Sequence, residues 1–132
     1  MGHISVIGSC NMDLTVEADR RPQAGETVMG KRLVVSPGGK GANQAVAAAR
    51  LGEEVYMIGC VGDDPYGSFM LKALKDSHVK TDYVSVLEGV NTGTAHNVVE
   101  VVFAGILGKA CGFFCLTPLI VQFVQLVLLH LA

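Results

Sequence analysis

The run Gly38-Gly39-Lys40-Gly41-Ala42-Asn43-Gln44-Ala45 joins a glycine-rich turn to the start of an alanine-rich helix. Glycines let backbone approach a bound molecule and reach positive φ, and the first turn of a helix leaves N–H groups free. Lys40 and Asn43 add directional donors at the same junction. A second polar pair, Asn11 and Asp13, lies two residues apart on an extended segment, so both side chains point the same way. An ionised carboxylate accepts from two donors at once, and an amide both donates and accepts. The chemistry on offer is therefore the binding of a ligand rich in hydrogen-bonding groups. Local alternatives stay open: a glycine turn can simply cap a packed helix, and Asn or Asp after a strand can bond its own backbone.

Other constellations are weaker. A nucleotide-binding loop of the Walker type needs Ser or Thr after its lysine, whereas Lys40 is followed by Gly41, and the three-glycine dinucleotide spacing also fails. Asp63 and Asp64 are adjacent carboxylates, and Pro65 after them reads as a helix start with an acidic cap. Of the four cysteines, Cys10 and Cys60 sit in apolar strand-end contexts and Cys111 and Cys115 in an apolar tail, which reads as buried free thiols without zinc spacing. His3, His78, His96 and His130 are dispersed, so no metal site is expected.

The elements that must position these groups follow from periodicity. Ile4–Ile7 is a short apolar run ending in Gly8, suited to a central strand whose C-terminal end opens into a crevice. Leu14, Val16 and Ala18 alternate with Asp13, Thr15 and Glu17 as in a strand with one solvated face. A second extended segment is expected from Thr27 to Val35, forming a small side sheet with the first. Apolar spacing predicts a helix from Gly41 to Leu51 stopped by Gly52, a strand from Val55 to Val61, and a helix from Pro65 through Lys75 with Tyr66, Phe69, Met70 and Leu74 as its core stripe. Tyr83–Leu87 and Thr92–Val99 alternate again.

The chain has 132 residues, half of them apolar, and a formal charge of −2, enough for one compact core. Its ten basic residues are scattered and its aromatics few, which argues against nucleic acid as a partner. Met1-Gly2-His3-Ile4 enters a strand-like run without a basic segment and long apolar stretch, so a cytoplasmic location is expected.

Several segments together resemble the ribokinase-like carbohydrate kinases, the PfkB-type family. The Gly38–Ala45 run resembles that family's first signature, with Gly52 and Gly62 at its later glycine places. Gly8-Ser9-Cys10-Asn11-Met12-Asp13 resembles the first sugar-binding segment, and Pro22-Gln23-Ala24-Gly25-Glu26-Thr27 resembles the motif after it. Gly62-Asp63-Asp64-Pro65-Tyr66-Gly67 and Asn91-Thr92-Gly93-Thr94-Ala95 follow in family order, so the likeness covers residues 3 to about 96. Asn11 with Asp13 and the full Gly-Gly-Lys-Gly-Ala-Asn-Gln run match the ribose-binding version of these segments.

The resemblance implies an α/β fold, the N-terminal part of a three-layer α/β/α architecture with an antiparallel β lid over the sugar. It places Tyr83–Leu87 and Thr92–Val99 among the lid strands. It implies phosphoryl transfer from ATP to the 5-hydroxyl of D-ribose with Mg2+, a monovalent cation as a further cofactor, and a homodimer through lid strands. The implied substrate-binding set is Asn11, Asp13, Gly39, Lys40 and Asn43. Asp13 and Asn11 would hold vicinal hydroxyls, Lys40 and Asn43 would bond others, and Gly39 would let the backbone close on the sugar.

Composition changes after Glu100: residues 101–132 contain one charged side chain, Lys109. The expected organisation is a sugar-binding and lid portion over residues 1–100 and an atypical apolar tail over 101–132. The run 110–132 is long enough to cross a bilayer, but holds Pro118, Gln122, Gln125 and His130. A membrane anchor, a foreign segment from a frame change or splice, and an unusual buried helix all remain open. The family's Gly-Ala-Gly-Asp motif, which supplies the catalytic base and anion hole, does not occur, and Asn97-Val98-Val99-Glu100 matches the family's Asn-x-x-Glu too early in the order to count. Two functional classes follow: the sugar-binding part of a ribose or related sugar or nucleoside kinase, inactive alone, or a noncatalytic module that pairs with a full-length kinase.

Overall fold

The structure, a computed structural model, describes residues 2–100. The expected tail, with Cys111, Cys115 and His130, lies outside the described residues.

The element order is β1 (Ile4–Ile7), β2 (Asn11–Ala18), β3 (Arg32–Gly38), α1 (Lys40–Arg50), β4 (Val55–Gly62), α2 (Pro65–Asp76), β5 (Lys80–Leu87) and β6 (Thr94–Glu100). β1, β4 and β5 form a parallel sheet in that order, with Ile4 opposite Val55 and Ile7 opposite Ile58. α1 packs on β1 and β4, and α2 on β4 and β5. The core is built from one face of that sheet, Val6, Val55, Met57 and Val61, against Ala42, Ala45, Ala48 and Ala49 of α1 and Met70 and Leu74 of α2. The alanine stripe brings α1 close to the strands, as small side chains at helical spacing allow. The α/β expectation is met.

Both helices end in the same hydrogen-bond pattern. Gly52 N–H donates to Ala49 O and Glu53 N–H to Ala48 O, with Gly52 at φ 97°. His78 N–H donates to Lys75 O and Val79 N–H to Leu74 O, but here the left-handed position is filled by His78 at φ 62°.

The second sheet has the order β3-β2-β6. β2 and β3 are antiparallel, with Asn11 opposite Gly38 and Asp13 opposite Ser36, while β6 runs parallel to β2 from Met12–Thr94 to Ala18–Glu100. The small sheet is thus mixed.

Four sequence expectations need correction. β3 runs from Arg32 rather than Thr27 and continues to Gly38, because antiparallel pairing starts where Lys31 N–H donates to Glu17 O at 2.7 Å; Pro37 is tolerated because β3 is an edge strand. Tyr83–Leu87 belongs to the central sheet: α2 is the crossover that returns the chain parallel to β4. Phe69 leaves the predicted core stripe at 46% exposed. Cys60 is exposed rather than buried, because it faces away from the helix-covered side on which Met57 and Val61 lie.

Candidate functional site

At the C-terminal end of the central strands, the segment after β1 and the start of α1 approach closely across glycines. A Cβ on Gly8 would lie 2.8 Å from Gly41 Cα, and one on Gly39 would lie 2.9 Å from Asn11 N and against Ser9 O. Gly39 adopts φ 94°, a conformation that excludes most side chains. Ala42 N–H donates to Ser9 O at 3.1 Å and Asn43 N–H to Gly39 O at 2.9 Å, so these two helix-start donors serve the fold rather than a ligand.

The polar set surrounds this junction. Asn11 and Asp13 lie half-buried on β2, two residues apart on one face. A Cβ on Gly38 would fall 2.5 Å from Asp13 Cγ, so the missing side chain is what makes room for that carboxylate. Asn11 Oδ1 would similarly lie 2.7 Å from a Cβ on Gly93, and Met12 N–H donates to Gly93 O at 2.8 Å. Lys40 and Asn43 are exposed on the first turn of α1. Among the described residues, the side chains of Asn11, Asp13, Lys40 and Asn43 make no hydrogen bond or ion pair with one another or with a neighbour.

Two of the five predicted residues line separate cavities among the described residues. Asn11 lines an open cavity of about 270 Å³ with Ser9, Cys10, Cys60, Asn91 and Gly93. Asn43 lines another of about 280 Å³ between the helices, with Pro37, Arg50 and Met70, while Asp13, Gly39 and Lys40 line neither. Burial pushes the Cys10 thiol up, and the nearby Cys60 adds to the shift, so Cys10 remains a neutral thiol in the cavity wall.

Two networks escaped the sequence reading. The Asp64 carboxylate caps α2 by accepting from Gly67 N–H at 2.8 Å, as its place before Pro65 suggested. It also accepts from Thr92 N–H at 3.0 Å and Thr92 Oγ1–H at 2.6 Å, while Gly62 N–H donates to Thr92 Oγ1 at 3.0 Å. These bonds, the Thr92 hydroxyl first, hold the Asp64 carboxyl below the usual range. In the loop before β3, Glu26 takes a two-pronged contact from Arg20 at 2.6 and 2.5 Å and a further bond from Gln23 N–H. The Arg20 guanidinium brings the Glu26 carboxyl down to about 2.

Among the described residues no three of His, Cys, Asp and Glu come together to hold a metal ion. The Gly-Ala-Gly-Asp motif, to which the resemblance assigns the catalytic base and anion hole, is likewise missing from the sequence. No helix among the described residues is long and apolar enough to cross a membrane.

The geometry has counterparts among known proteins. Residues 1–105 match the family described as pfkB family carbohydrate kinase. The chain belongs to that family. Within it, the chain is 58% identical over 98 residues to the ribokinase of Bacillus subtilis (strain 168), which covers 74% of this chain and 33% of that protein. Identity to the ribokinase of Dictyostelium discoideum is 43% over 98 residues, covering 74% of this chain and 31% of that one. The solved structure of Arabidopsis thaliana ribokinase complexed with ribose and ATP is 38% identical, with a TM-score of 0.67 over 74% of this chain and 32% of that chain. This pfkB-family chain therefore spans about a third of the length of these relatives, and its fold is the N-terminal part of the ribokinase-like α/β architecture.

Proposed function

We propose that the chain carries the sugar-binding portion of an ATP-dependent kinase for the 5-hydroxyl of D-ribose. The observation that carries this reading is the set of polar side chains at Asn11, Asp13, Lys40 and Asn43, unpartnered among the described residues, around a strand end cleared by glycine. Asp13 accepts from vicinal hydroxyls, Asn11 donates and accepts beside it, and Lys40 and Asn43 donate to the remaining oxygens. Gly39 lets the backbone close on the ring. Because these groups sit on two separate walls, the sugar itself bridges β2 and the start of α1.

ATP, Mg2+ and a monovalent cation belong to this reaction, but the anion hole and catalytic base that it needs are supplied by residues outside this sequence. The 132 residues alone bind sugar without transferring phosphate. Location in the cytoplasm fits the ATP requirement. Incubating purified chain with ATP and ribose tests the second half of the proposal: no ribose phosphate should form, and product whose appearance depends on Asp13 would refute it. A titration panel of ribose, deoxyribose and a nucleoside tests the sugar class, with ribose expected to bind tightest.

A second reading, self-pairing through the lid strands, draws on one observation. Leu33 and Val98 stand opposite Val16 on either side of β2, and Val35 stands opposite Leu14. Leu33 is 59% exposed and Val35 and Val98 are 39% exposed, which leaves an apolar lid face open. A homodimer through that face should dissociate in Leu33→Glu, as read by sedimentation, and an unchanged sedimentation coefficient would remove it. In both readings residues 1–100 form the sugar-binding and lid portion, and residues 101–132 an added apolar tail. Deleting 101–132 should raise solubility without loss of ribose binding, whereas a fall in solubility would contradict that division.

A further inference from the structure

We propose that Thr92, clamped by Asp64, is a positioning residue that sets the Asn11 side chain for its ligand. This inference rests on the sugar-binding reading of Asn11. Thr92 is the buried polar residue of the described core at 4% exposure. Its hydroxyl donates to Asp64 Oδ1 and accepts from Gly62 N–H, and its own N–H is held by Asp64 Oδ2. The next residue, Gly93, meets β2 directly: its carbonyl accepts from Met12 N–H, and its Cα lies close enough to Asn11 Oδ1 that a side chain would strike it.

A continuous path thus runs from the β4–α2 turn through Asp64 and Thr92 to Gly93 and the amide of Asn11. Glycine prevents slack at two further points on that path. A Cβ on Gly62 would fall 2.6 Å from Thr92 N, and one on Gly67 would fall 3.0 Å from Thr92 Oγ1. The loop has little room to shift while the Asp64 bonds persist. Asn91, Thr92 and Gly93 also form one wall of the cavity that Asn11 lines, while Asp64, Asn91 and Thr92 line the next cavity of about 540 Å³. Loss of the Thr92 hydroxyl would loosen the wall between the two and free the Asn11 amide to rotate.

The test is amide NMR combined with ribose titration on the whole chain. Thr92→Val should shift the Asn11 side-chain amide and Met12 N–H resonances and weaken ribose binding by about 5-fold, the size of one net hydrogen bond. Thr92→Ser, which keeps the hydroxyl, should restore both to near the parent values. Val55→Ala, at the far end of β4, should lower stability without moving either readout. If Thr92→Val fails to fold, Asp64→Asn carries the same test, since its amide keeps an acceptor for the α2 cap but loses one for Thr92. A folded Thr92→Val or Asp64→Asn with Asn11 resonances in place would overturn the inference. If the parent chain binds no ribose, the sugar reading alone falls, and the Asn11 resonances still decide the positioning role.

Discussion

Gly8 and Gly41 touch backbone to backbone: a Cβ on Gly41 would lie 2.7 Å from Gly8 Cα and 2.8 Å from Gly8 C. Gly41 is inside α1, where Gly→Ala ordinarily gains about 1 kcal/mol of helix propensity. Overpacking against fixed backbone costs about 1–3 kcal/mol and should outweigh it. Urea unfolding of Gly41→Ala should therefore show net destabilisation of up to about 2 kcal/mol, and a more stable variant would mean that the contact can relax.

Gly38 clears space for Asp13, so the two positions should be coupled in binding. Gly38→Ala is expected to displace the carboxylate and weaken ribose binding by about 10-fold, yet to change affinity little in an Asp13→Ala background. Calorimetric titrations of the four chains check this, and additive effects would show that Gly38 acts on something else.

At the end of α2, His78 holds a left-handed conformation that costs an L side chain roughly 1 kcal/mol. His78→Gly should raise the unfolding free energy by up to about that amount while leaving ribose affinity alone. Lower stability would mean that the imidazole contributes more than the backbone loses.

Acid should act through Asp64 and Glu26, whose folded carboxyls both lie below their ordinary values. A depressed folded pKa adds stability above the unfolded value that is lost as pH falls through the folded one. The melting temperature should hold steady at neutral pH and fall from the ordinary carboxylate range down to about 2, the folded value of Glu26. Salt should shrink the Glu26 share because its partner Arg20 is exposed. Asp64→Asn should flatten part of the profile, and an unchanged profile would discount the Thr92 bonds as its source.

Much of this molecule was legible in local pattern. The Gly38–Ala45 run placed the α1 start within a residue, the Asp64-Pro65 pair marked α2, and the period-2 run after Asn11 gave β2 with Asn11 and Asp13 on one face. Alternation marked Tyr83–Leu87 as a strand, but the resemblance misplaced it in the lid, and its pattern could not correct this, because an edge strand of a parallel sheet with an exposed flank alternates as a lid strand does. Tyr83 is 61% exposed and Leu87 41%. The Asp64–Thr92 clamp joins residues 28 apart, and no local spacing announces such a contact. Asn43 lines the cavity between the helices, a matter of packing that its place in the motif does not contain.

The central claim is that Asp13 and its neighbours bind sugar hydroxyls, and titration calorimetry of D-ribose into the chain and its Asp13→Asn variant tests it most directly. Asp13→Asn removes an ionised acceptor and adds a donor, a loss of about 1.5–3 kcal/mol for a charge-assisted hydrogen bond. The account predicts saturable one-to-one binding by the parent chain, weakened by about 10-fold or more in the variant. Equal affinity in the two chains, or no saturable binding by the parent, would contradict it.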